Sequence, residues 1–62
     1  MRTWSITATR NGHTKLDVLT WPYKRQAYRF VIDWFTEDPT LTRIRLVDDT
    51  GRAEPLTLSR PT

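Results

Sequence analysis

Residues 3–19 read TWSITATRNGHTKLDVL, and this stretch decides the fold. From Thr3 to Thr9 the chain alternates, with Trp4, Ile6 and Ala8 on one side and Thr3, Ser5, Thr7 and Thr9 on the other. That period of two is the signature of a strand with one apolar and one solvated face. Asn11-Gly12 follows, the dipeptide best suited to a two-residue type I′ turn, in which both central residues need positive φ. A returning strand is expected to about Leu19, with Leu16 and Val18 on the apolar face and Lys15, Asp17 and Leu19 on the other. Residues 2–20 therefore read as a β-hairpin.

Working outward, Pro22 fits the first turn of a helix, where its missing N–H is not needed. A helix is expected over 22–37, capped by Thr20 or Trp21 and stopped by Pro39. At 100° per residue, Tyr23, Ala27, Phe30, Val31 and Trp34 form one stripe, and Tyr28, Ile32 and Phe35 extend it sideways. The apolar arc spans roughly 200°, whereas packing on one sheet needs only about 100°.

Residues 41–60 read as a second hairpin. Thr42, Ile44 and Leu46 alternate with Arg43, Arg45 and Val47, and a turn over 48–52 places Gly51 where positive φ is required. Leu56 and Leu58 then alternate with Thr57 and Ser59, and Pro55 suits the start of an edge strand. The fold class is α+β: ββαββ, a four-stranded, mainly antiparallel sheet with one helix on one face, in a single domain over 1–62. The expected interior is Trp4, Ile6, Ala8, Leu16, Val18, Ile44, Leu46, Leu56 and Leu58 beneath the helix stripe. Strand orders 1-2-4-3 and 2-1-3-4 both fit, as does one pair of strands per chain completed by a second copy.

Sixty-two residues leave room for one small core and bury only about 60 % of the unfolded surface. With no Cys and one His, there is no thiolate metal site, no Cys nucleophile and no two-imidazole centre. His13 belongs to a tight turn, and Asp48 and Asp49 are explained by turn chemistry. No catalytic residue, metal, cofactor or small-molecule substrate is expected, and the chain reads as no enzyme. No apolar run reaches the roughly 20 residues of a membrane span, and no signal-peptide pattern precedes the first strand, so a cytoplasmic location without membrane attachment is expected.

Two surfaces stand out. The wide apolar arc makes Tyr28, Ile32 and Phe35, rimmed by Lys24, Arg25 and Arg29, the candidate protein interface, for a second copy or another protein; aromatic residues and Arg dominate such centres. Lys24, Arg25 and Arg29 also lie at the helix start and Asp33, Glu37 and Asp38 toward its end, against the macrodipole. The alternative is duplex DNA. Ten Lys or Arg against seven Asp or Glu give +3, and Arg43 and Arg45 project together from one strand, with Lys15, Lys24 and Arg25 as further phosphate contacts. That sheet face carries no aromatic platform for stacked single-stranded bases.

Overall fold

The computed structural model describes residues 2–61. The chain forms β1 (Arg2–Arg10), β2 (His13–Trp21), α1 (Lys24–Glu37), β3 (Leu41–Asp48) and β4 (Leu56–Ser59). The four strands make one antiparallel sheet in the order β2-β1-β3-β4, with α1 on one face. Of the two orders compatible with the sequence, this places both long central strands side by side.

The local chemistry of the turns explains the connections. Asn11 (φ 51) and Gly12 (φ 79) both take positive φ, the requirement of a type I′ turn. In the loop after β3, the Asp48 carboxylate accepts from the Thr50 N–H at 3.0 Å and the Thr50 hydroxyl at 2.9 Å, and Gly51 follows at φ 73. An Asx turn and a glycine thus reverse the chain.

The helix begins later than Pro22. Thr20 and Trp21 stay in the sheet, opposite Thr3 and Arg2, so neither can cap a helix, and the capping position passes to Tyr23 with extended backbone (φ −129, ψ 142). Tyr23 makes no side-chain capping bond, and the first turn carries Lys24 and Arg25 with no acid. The Asp38 N–H closes the last turn on the Trp34 carbonyl at 2.9 Å, and Pro39 prevents continuation.

The core is Trp4, Ile6 and Ala8 from β1, Leu41, Ile44 and Leu46 from β3, and Ala27 and Val31 from the helix. Trp4, Ile6, Ala27 and Val31 are wholly enclosed. Leu56 and Leu58 pack on its margin, as do Tyr28, Trp34 and Phe35. Tyr23 and Phe30, expected in the central stripe, are exposed. Relative to the expected stripe the helix has rolled by roughly 60°, at 100° per residue, turning Tyr28 and Phe35 toward the interior.

The largest departure is β2. Leu16 and Val18, expected in the core, lie on the open face and are 62 % and 57 % exposed. The two-residue turn dictates this. Arg10 pairs with His13, and the ladder then sets Ala8 opposite Lys15, Ile6 opposite Asp17 and Trp4 opposite Leu19. Directly paired residues share a face, so Lys15, Asp17 and Leu19 face the helix while Leu16 and Val18 join Thr7 and Ser5 outside.

Candidate interaction surface

An α-helix with its side chains is about 10 Å across and strands lie about 4.8 Å apart, so one helix roofs about two strands of four. Here α1 packs mainly over β3 and contacts β2 and β4 more sparsely. Among the nine side chains of β2 none is buried, whereas β1 and β3 alternate between buried and open. A nine-residue strand is thus attached to the sheet with both of its faces accessible.

The helix side of β2 is a groove. Near Trp21 it is aromatic: Phe30 lies between Trp21 and Trp34, with ring centroids 5.0 and 6.0 Å away, and the Trp4 indole N–H donates to the Trp21 carbonyl at 3.3 Å. Leu19, Phe30 and Trp34 line a depression of about 540 Å³, with Asp17, Asp33 and Glu37 around it. A second hollow of about 360 Å³ continues past Asp17 and Trp34 toward Arg10, His13 and Lys15. The groove is therefore acidic at one end and basic at the other.

The outer edge of β2 presents backbone. In an antiparallel ladder, alternate residues direct their N–H and C=O groups to opposite neighbours. The Thr3 carbonyl accepts from the Asp49 N–H at 3.1 Å, on the β3 side, so the odd residues of β1 serve β3 and the even ones serve β2. Their partners His13, Lys15, Asp17, Leu19 and Trp21 point their backbone inward to β1. Thr14, Leu16, Val18 and Thr20 therefore direct theirs outward, where no strand is paired. A long uncovered edge of this kind is a template for strand addition.

The candidate patch on the helix is not assembled as expected. The Tyr28 hydroxyl donates to the Glu54 carbonyl at 2.6 Å, and its ring meets Trp4 edge-on at 6.3 Å. Phe35 lies beneath the Arg60 guanidinium, 3.9 Å from its ring centroid. The segment over 53–60 thus covers the flank that was expected to need a partner, leaving Ile32 exposed alone. Of the basic rim, Arg25 lies over the Tyr23 ring, Arg29 makes an exposed 3.7 Å contact with Asp33, and Lys24 is exposed.

Arg60 was not anticipated. Its guanidinium donates to the carbonyls of Phe35, Leu41 and Asp38, the last at 3.0 Å, and so satisfies the carbonyl-rich end of α1. Nothing local marks such a residue, since its partners lie 19 to 25 positions away.

The open face carries the second candidate. Thr7, Thr9, Thr14, Arg43 and Arg45 line a shallow depression of about 300 Å³. Arg45 stands opposite Thr7, and Arg43 opposite Thr9. Neither arginine has an ion-pair partner among the described residues. Lys15, Lys24 and Arg25, grouped with them on sequence, belong to the other side of the sheet, Lys15 because it pairs with Ala8 and the other two because α1 carries them.

The carboxylates with the strongest perturbations are structural. Burial works against ionisation of Asp48, but the Arg2 guanidinium and the Thr50 N–H and hydroxyl outweigh it and hold its carboxyl well below the usual range. Asp38 is lowered chiefly by the Thr40 hydroxyl, with the Thr40 N–H and Arg10 adding to it. No three potential ligands converge as a metal site among the described residues, and no helix described is long and apolar enough to cross a membrane. Comparison with protein families, curated proteins and solved structures returns no match to this chain.

Proposed function

We propose that this chain is a small non-enzymatic interaction module that associates with protein through the β2 flank. One observation carries the reading: a nine-residue strand holds no buried side chain and leaves its outer backbone edge unpaired. Leu16 and Val18 on one face, and Leu19 with Phe30 on the other, give that edge apolar surface on both sides. Backbone hydrogen bonds supply affinity in strand addition and the flanking side chains supply specificity. The surface differs from Tyr28 and Phe35, which the chain covers itself.

Sedimentation velocity across micromolar to millimolar concentration tests the reading. Association that disappears in Leu16→Thr/Val18→Thr and persists in Ile32→Ser supports it. A chain that stays monomeric throughout, or one whose association depends on Ile32 instead, refutes it.

A second reading rests on the Arg43–Arg45 depression framed by three threonine hydroxyls. There the module meets a duplex phosphate backbone, and binding falls steeply with salt. A fluorescence titration at two salt concentrations, with Arg43→Ala/Arg45→Ala as control, tests it; unchanged affinity in that variant disposes of it. It ranks second because the exposed Leu16 and Val18 occupy the same face.

A further inference from the structure

Resting on the β2 reading, we infer that the partner is a second copy of this chain, paired antiparallel to β2 about a two-fold axis at Leu16. Along β2 only Thr14, Leu16, Val18 and Thr20 have outward backbone groups, so a symmetric antiparallel ladder on this edge must pair these residues with one another. The side chains opposite one another then discriminate among the possible registers. An axis at Lys15 sets Lys15 against Lys15, and an axis at Asp17 sets Asp17 against Asp17, like charges directly opposed. An axis at Val18 leaves Asp17 against Leu19 and Lys15 against Trp21. With the axis at Leu16, Lys15 faces the partner's Asp17 and Asp17 faces the partner's Lys15, and both pairs fall at positions where side chains approach most closely.

The monomer leaves both charges available. Neither Lys15 nor Asp17 has an ion-pair partner among the described residues, and both lie on the helix side of the edge strand. On the opposite face, Leu16 meets the partner's Leu16 with Val18 of each copy as diagonal neighbours, removing the most exposed aliphatic side chains from water. Inward-facing charges on an edge normally discourage pairing. Here their order makes pairing attractive in one register and repulsive in the two adjacent ones. The product is a continuous eight-stranded sheet with both helices on the same face.

Charge exchange combined with cross-linking tests this. Lys15→Asp and Asp17→Lys each convert two attractions into two repulsions and are expected to weaken the dimer about tenfold or more in sedimentation equilibrium at low salt. The double exchange Lys15→Asp/Asp17→Lys restores the opposition with signs reversed, and is expected to recover affinity to within about threefold. Circular dichroism checks that each variant folds. Because the chain has no cysteine, Leu16→Cys introduces a single thiol, and its oxidation yields a covalent dimer. Val18→Cys does not, since these positions then sit about 13 Å apart along the strands. Cross-linking through position 18 instead of 16, or no recovery in the double exchange, overturns the register while leaving association through β2 standing. A wild-type chain that is monomeric at millimolar concentration overturns both.

Discussion

Removing Arg60 is expected to destabilise this fold far more than removing an ordinary exposed charge. The guanidinium ties together three carbonyls, those of Phe35, Asp38 and Leu41, and lies against the Phe35 ring. A hydrogen bond to a charged group is worth about 1.5–3 kcal/mol, and a cation over an exposed ring about 0.5–1 kcal/mol. The bonds share one side chain that solvent partly reaches, so their sum must be discounted, and Arg60→Ala is expected to cost about 2–4 kcal/mol. A core of this size supplies only about 3–5 kcal/mol. Thermal unfolding followed by circular dichroism should therefore show a fall of roughly 10–25 °C. Arg60→Lys keeps the charge but not the planar fork, and should recover less than half of the loss. Arg52, exposed and without an ion-pair partner among the described residues, is the control: Arg52→Ala should change stability by less than about 0.5 kcal/mol. If Arg60→Ala unfolds at the same temperature as Arg52→Ala, the helix end does not depend on this residue and the reasoning fails.

Three further predictions follow from the packing. Trp34→Ala and Phe35→Ala are expected to cost similar amounts, about 2–3 kcal/mol each in urea unfolding, because both rings are half-buried on the same core; a tenfold smaller loss for Phe35→Ala would mean that Arg60 and the 53–60 segment do not enclose it. Gly12→Ala meets no atom within 4 Å but must hold φ near +79, so it should cost about 1–2 kcal/mol through backbone strain alone, and a neutral result would contradict the type I′ geometry. On acidification, Asp48 and Asp38, whose folded-state values lie below 3.8, contribute stability that is complete above about pH 4–5 and is lost as pH falls through the folded values. Asp48→Asn should lower stability at neutral pH and flatten that acid limb in pH-dependent unfolding; an unaltered limb would show that the Arg2 and Thr50 contacts do not matter.

Much of the fold is written locally. Asn11-Gly12 specifies the first hairpin, Pro39 ends the helix, and alternation marks all four strands. What alternation cannot assign is the orientation of β2. Leu16 and Val18 make one of its faces apolar, and Leu19 and Trp21 make the other so, which leaves the pattern ambiguous. The turn length resolves it: a two-residue loop closing on Arg10 and His13 pairs even positions of β1 with odd positions of β2. Counting across that turn turns Leu16 and Val18 outward, and the same count exposes the edge proposed as the interaction surface. The helix was legible as amphipathic but not in its rotation. That depends on β4 and the 53–60 segment closing one flank while β2 offers only His13, Lys15 and Asp17 along much of the other. The breadth of the apolar arc is more than the core takes up, since Tyr23, Phe30 and Ile32 stay exposed. The arc alone misplaces that surplus onto Tyr28 and Phe35, because long-range contacts from Glu54 and Arg60 leave no local trace.

Amide hydrogen exchange measured at increasing protein concentration interrogates the β2 edge at single-residue resolution. The N–H groups of Thr14, Leu16 and Val18 should exchange quickly in dilute solution and slow progressively as copies associate, while those of Lys15 and Asp17, already bonded to β1, remain slow throughout. Rates at Leu16 and Val18 that do not change with concentration, or slowing confined to Thr57 and Ser59 on the opposite edge, would contradict the account.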